Sequence, residues 1–191
     1  MKRRIIALLA LASTFGAQAA VEPGVKLTPD EALGPSYILR LPQTWHSAAG
    51  LFGADFVSLS ALTGLSSAGM LTVKTFRKPP NQAAPAGVRF PSSDPQKFLE
   101  EQSISSARTL RRGFFKIVER DPRRAALETN PRAAFLEATY HENGVAFREV
   151  DLLQTVSADE YIIVSFRAPD VLYPTLRPLA LTALRSFRLR R

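Results

Sequence analysis

Apolar and polar residues alternate along most of this chain, with few runs that recur every third or fourth position. Alternation is the mark of a strand, because successive side chains point to opposite faces of a sheet. Residues 36–41 place Tyr37, Leu39 and Leu41 on one side, and Pro42 ends the run. Residues 56–62 and 70–77 alternate in the same way, and short strands are predicted over 114–119, 133–141, 145–156 and 161–168, with residues 125–128 a possible return strand. Helical spacing is confined to two segments. Asp94-Pro95 supplies a capping carboxylate and a proline tolerated at the first helical position. Leu99, Ser103, Ser106, Ala107 and Leu110 then share a face until Gly113. A second helix is predicted from Leu176 to about Ser186, capped by Thr175, with Leu179, Thr182, Ala183 and Ser186 inward. Residues 21–35 read as an irregular leader. Residues 78–93, with Pro79, Pro80, Pro85 and Pro91, read as a long surface loop.

The register of the last three strands follows if one sheet face is buried and the other wet. Asn143-Gly144 is a hairpin signal. An odd-numbered loop there would put Leu136 and Ala138 on the face of Val150 and Leu152. An even one would set Leu136 against Asp151, since one residue of slip turns every side chain over. The odd loop is therefore expected. A three-residue loop at 157–159 would bring Ile162, Val164 and Phe166 onto the same face, ready for the second helix. The opposite face is then mixed. It gathers Glu137, Glu149 and Asp151 with Tyr161 and Arg167, the most interesting constellation in the chain and the candidate binding face. Three acids beside one cation suit a ligand, a cation or a partner protein. They equally suit a solvated face with paired charges.

The N-terminus changes the setting. Lys2, Arg3 and Arg4 precede an apolar run from Ile5 to Gly16, and Ala17-Gln18-Ala19 ends it with small residues. That is the pattern of a signal peptide over residues 1–20, cleaved after Ala19 or Ala20. The 12-residue run is shorter than the ~20 residues that span a bilayer. A secreted or periplasmic protein with no transmembrane segment after cleavage is expected. The chain has no cysteine, which excludes disulfides, Cys metal sites and lipidation at the cleavage point. Residues 36–191 suffice for one domain with a real core. Past residue 20, 22 Lys and Arg stand against 17 Asp and Glu, a balance of +5, and 17 of the 22 are Arg. No basic run interleaves with aromatics, so no specific nucleic-acid partner is implied.

Catalytic motifs are wanting. His46 and His141 lack metal-site spacing. Residues 64–68 approach a nucleophile elbow around Ser66, but Ala68 stands where the last glycine belongs. Glu100 and Glu101 fall on the solvent side of the first helix. There is no phosphate-binding loop or calcium loop, and no catalytic residue, metal or cofactor is assigned.

Residues 37–42 followed by Trp45, the strands at 56–62 and 70–76, and a C-terminal block of 136–140, 147–155, 161–166, a helix and Arg185-Ser186-Phe187 resemble the PsbP-like fold family over residues 37–189. That family includes the PsbP subunit of photosystem II, a yeast nuclear Ran-binding factor and exported bacterial DcrB-like proteins. The resemblance implies an α+β fold, an antiparallel β-sheet flanked by helices in an α/β/α sandwich, with Trp45 and Phe187 as core anchors. It also implies a non-catalytic binding or accessory protein acting through protein–protein interaction with an envelope or secreted partner. Two alternatives stay open: a ligand-binding protein or hydrolase using the acidic face, and a secretion-effector-associated chaperone or immunity protein.

Overall fold

A computed structural model describes residues 27–33, 36–49, 54–60, 69–78, 90, 94–127 and 131–190. The signal-peptide and cleavage expectations, Ser66, and most of the 78–93 loop lie outside the described residues.

Seven strands form one antiparallel sheet: β3 (Trp45–Ala49), β4 (Phe56–Ser60), β5 (Met70–Arg77), β6 (Gly113–Glu119), β7 (Ala133–Glu142), β8 (Val145–Ser157) and β9 (Glu160–Pro169). Their spatial order is β3-β4-β5-β9-β8-β7-β6. A smaller sheet joins β1 (Leu27–Leu33), β2 (Tyr37–Pro42) and the two-residue β10 (Arg188–Leu189) in the order β1-β2-β10. Helix α1 (Pro95–Thr109) covers one face of the large sheet, and α2 (Tyr173–Ser186) covers the other. The fold class is the expected α+β sandwich.

Two cores result. Under α2, Leu71, Val73, Phe135, Val150, Ile162, Val164 and Phe166 meet Tyr173, Leu176, Ala180 and Leu184. Trp45 stacks on Phe166 at 5.8 Å, and Phe187 on Tyr37 at 6.0 Å, so both are core anchors. The approach is close. A Cβ on Gly69 would lie 2.9 Å from Leu176 Cδ1 and 3.1 Å from the Phe166 ring. Under α1, Phe98 and Leu99 meet Ala134, Leu136, Ala138, Leu153 and Tyr161.

The β7–β8 register corrects the expectation. Glu142 pairs with Val145 across a two-residue turn, with Asn143 at φ 51° and Gly144 at φ 79°. Two consecutive positive φ angles make the tight turn whose twist suits a hairpin. Leu136 therefore faces Asp151, and Ala138 faces Glu149. The premise of one wet face fails, because α1 buries the side that Leu136 and Ala138 occupy. The β8–β9 register is as expected, with Leu152 against Val164 and Val150 against Phe166. An irregularity between Thr155 and Ser157 produces it, with Ser157 pairing Glu160, where a three-residue loop was anticipated.

Other elements differ locally. Residues 27–33, read as part of the leader, form β1 and pair with β2. Residues 45–49, given no element, form β3. The return strand at 125–128 is replaced by a 3₁₀ turn over Pro122–Ala125, whose Ala125 and the following Leu127 reach the α2-side core. Helix α2 starts at Tyr173, so Thr175 lies in its first turn and does not cap it. Its buried stripe is Tyr173, Leu176, Ala180, Leu181, Ala183 and Leu184, of which only Ala183 was anticipated. No helix among the described residues is long and apolar enough to cross a membrane.

Candidate functional site

The site begins with how α1 ends. Asp94 caps its start, accepting from the Lys97 N–H at 3.0 Å. At the far end the Arg111 N–H donates to the Arg108 carbonyl and the Arg112 N–H to the Ala107 carbonyl, with Arg111 at φ 53°. This pair of bonds reverses the chain at a helix C-terminus. An arginine holds the left-handed position that glycine usually takes, and Gly113 instead opens β6. The reversal delivers Arg112 to the sheet.

The Arg112 guanidinium lies 4.0 Å over the Tyr140 ring, with Nη1 3.0 Å from Glu149 Oε2 and Nε 3.6 Å from Glu142 Oε2. Its side chain is 8% exposed. The Tyr140 hydroxyl donates to the same Glu149 oxygen at 2.7 Å, and Arg167 Nη1 reaches Glu142 Oε2 at 3.4 Å. Two carboxylates and two guanidiniums thus balance one another at the end of α1. Burial pushes the Tyr140 phenol well above its ordinary range, and the Glu149 charge pushes it the same way.

Beside this cluster a cavity of about 400 Å³ opens between α1 and strands β5, β8 and β9. Met70, Phe76, Leu99, Leu110 and Ile163 give it apolar walls, while Thr72, Gln102, Ser103, Ser106 and Ser165 supply polar atoms. Asp151 lies in its wall, 5% exposed. The Ser103 hydroxyl donates to Asp151 Oδ2 at 3.5 Å, and Oδ1 has no hydrogen-bond partner. Burial raises the Asp151 carboxyl far above the usual carboxylate range. The Glu149 charge adds to the rise, and Ser165, Arg112 and Ser103 oppose it. Burial and the neighbouring carboxylate thus both favour the protonated form of Asp151. Lys74 also lines the cavity and forms no ion pair with the described residues.

Of the five residues expected on one open face, Glu149, Asp151 and Arg167 come together at the cavity. Glu137 does not. The two-residue hairpin turns it to the α2 side, where Arg177 Nη2 contacts it at 3.1 Å. Tyr161 is on the α1 side but fully buried, stacked on Phe76 at 4.7 Å with Phe98 and Phe90 edge-on. It is a core residue. The face is not open, because α1 covers it. Arg112, Tyr140, Glu142 and Lys74 escaped sequence reading. The flipped β7 register hid Tyr140, and Arg112 carried no signal beyond standing where α1 ends. Glu100, read as facing solvent, pairs with Arg120 at 2.9 Å. His46 lies in β3 and His141 in β7. No group of three or more His, Asp or Glu among the described residues is placed to hold a metal ion.

No protein-family model matches the chain, and no curated protein matches its sequence. Solved structures do match. The cyanobacterial PsbP (CyanoP) of Synechocystis sp. PCC 6803 superposes with a TM-score of 0.57 at 12% identity, covering 92% of this chain and 99% of that one. The PsbP-like fold is present here. The Ran-binding protein Mog1p of Saccharomyces cerevisiae superposes at 0.58 and 10% identity, covering 87% of this chain and 96% of Mog1p. LpqN, involved in cell envelope biogenesis of Mycobacterium tuberculosis, superposes at 0.54 and 12% identity, covering 87% and 91%. In the PsbP-like frame seen here, the cluster and cavity occupy the α1 side of the sheet.

Proposed function

We propose that this protein is an exported, non-catalytic accessory protein of the cell envelope that holds a protein partner at the α1 side of its sheet. The observation that carries this reading is the closed charge cluster beside an open cavity. Glu142 and Glu149 are committed to Arg112 and Arg167. The cavity rim, with Lys74 and Arg167, presents recognition chemistry without a reacting group. Loops next to rigid sheets concentrate binding residues, and the loop expected over residues 78–93 follows in sequence from β5, whose Lys74 and Phe76 line the cavity. Export rests on the N-terminal pattern, and residues 36–191 act as one domain. The accessory role is in keeping with a fold shared by a Ran-binding protein and a protein of envelope biogenesis.

The test uses protein recovered from the exporting cell. Mass spectrometry should find its N-terminus at Ala20 or Val21. An intact Met1 outside the cytoplasm would remove the signal-peptide reading. Capture from an envelope fraction should yield a stoichiometric partner that Lys74→Glu releases. Unchanged capture by this variant would move recognition off the cavity rim.

A second reading has its own support. A buried carboxyl whose pKa is pushed up, facing a cavity beside a second carboxylate, is the arrangement a general acid needs. Ligand binding or hydrolysis would then use Asp151 and Glu149. Turnover of a peptide, ester or glycan that disappears in Asp151→Asn would establish it over the accessory role.

A further inference from the structure

Six large apolar side chains among the described residues are exposed, and four of them gather at one end of the sheet. Leu110 stands at the end of α1. Phe114 follows Gly113, which pairs with His141, and its ring packs edge-on against His141 at 5.2 Å. His141 pairs with Ala146, the neighbour of Val145 at the hairpin tip. The Asp170 N–H donates to the Ala146 carbonyl at 2.8 Å, which sets Val171 beside the same tip. Phe114 and Val171 are each 85% exposed. Phe114 sits at φ 52°, a conformation a bulky residue rarely adopts.

The charges at this end are equally ordered. Its carboxylates are all engaged: Glu142 and Glu149 by Arg112 and Arg167, and Asp170 by Arg148. Arg108 and Arg111 are exposed and form no ion pair with the described residues. The outward field here is therefore positive, and the apolar groups stand at three chain reversals: the end of α1 and start of β6, the β7–β8 hairpin, and the passage from β9 to α2.

We propose that this end docks on the surface of an anionic bilayer, with Phe114, Val145, Val171 and Leu110 entering the headgroup boundary and Arg108 and Arg111 on lipid phosphates. Apolar tips between guanidiniums fit that surface. A phospholipid headgroup layer offers phosphates and acyl chains at adjacent depths, and binding to it scales with buried apolar area and attraction to acidic lipid. The other two exposed apolar residues, Ile104 and Val118, lie off this end and serve as controls.

The experiment is co-sedimentation of the exported protein with vesicles of phosphatidylcholine alone or doped with phosphatidylglycerol. Wild type should prefer the acidic vesicles, and the preference should fall with added salt. Phe114→Ser with Val171→Ser should weaken binding on the order of tenfold. Arg108→Glu with Arg111→Glu should abolish the acidic preference. Ile104→Ser with Val118→Ser should change neither. Melting curves matching wild type show that the variants fold. Absent wild-type binding, or equal loss in the control pair, would overturn the proposal. So would vesicle binding that survives all changes at this end while capture of a protein partner is lost.

Discussion

The two faces of the large sheet are both covered by a helix, yet they are built differently. Under α2 the packing is sealed. Val164, Phe166, Leu71 and Val73 are fully buried, and Glu137, buried on that face, is matched by Arg177. Under α1 the packing is complete over β7 and incomplete over β5 and β9, where the cavity lies. There β8 carries Glu149 and Asp151, and β9 carries Ser165 and Arg167, in place of apolar residues. One face holds the fold and the other holds a polar cluster within it. The difference teaches that burial by a helix does not require an apolar face, provided the charges are paired and the neutral forms are accessible.

The sharpest break in this comparison comes from introducing the same charge on each side of one strand. Val164→Asp puts an unpaired carboxylate into the sealed core and should cost about 4 kcal/mol or more. Ile163→Asp directs its carboxylate to the cavity, directly across from Lys74, and should cost about 1–2 kcal/mol. Chemical denaturation of the two variants measures the gap. Equal losses would mean that the α1 side is as closed as the α2 side.

Most of the fold is legible because alternation marks strands whatever covers them. β5 was bounded correctly, and β7, β8 and β9 to within a residue. The site was less legible, for a definable reason. Alternation tells which residues share a face within a strand, but the relation between strands depends on the hairpin. An odd loop is required only if apolar Leu136 and Ala138 must share the Val150 side. With two buried faces both registers bury them, so the turn chemistry of Asn143-Gly144 should have decided. That error moved Glu137 into the cluster and left Tyr140 out. Arg112 was hidden more deeply, since its role depends on Arg111 taking a positive φ to end α1. The missed strands lie where the pattern is blurred, β1 by Pro29 and its polar neighbours and β3 by the small residues Ser47, Ala48 and Ala49.

The charge cluster offers the next test of the difference. Arg112→Met leaves Glu149 partly buried with no guanidinium against it and removes the cation from the Tyr140 ring. Removing one partner of a buried pair is costly because the other charge stays behind, and about 3 kcal/mol is expected. Adding Glu149→Gln should recover most of that loss, and a double-mutant cycle reads the coupling directly. If the double variant is no better than the single, Arg112 acts by packing on Tyr140 and not by pairing with Glu149.

The last test concerns Asp151, and the sign of its slope separates the α1 side from an ordinary acidic surface. A carboxylate in a favourable ion pair has a lowered pKa and stabilises the protein as pH rises. Asp151 is shifted the other way, by burial first and then by Glu149. The groups facing it are Glu149 on its own strand, Ser165 and Arg167 on β9, Leu136 on β7, and Ser103 and Arg112 from α1 and its end. A carboxyl whose folded pKa lies above its unfolded value of about 3.9 holds its proton more tightly in the native state. Its contribution to stability is complete below the unfolded value and is lost as pH rises toward the folded one, after which it levels off. Asp151→Asn keeps a neutral group of the same shape at every pH. The variant should therefore match wild type near pH 4 and gain on it as pH rises, by about 1.4 kcal/mol for each pH unit until the folded value is reached. Melting temperatures across that range, with Glu160→Gln as the reference, check the slope. Glu160 is lowered by its hydrogen bond from Arg77, so its removal should destabilise increasingly as pH rises through the carboxylate range. Opposite slopes for the two acids would confirm that Asp151 is held protonated beside the cavity, and parallel slopes would show it ionised there.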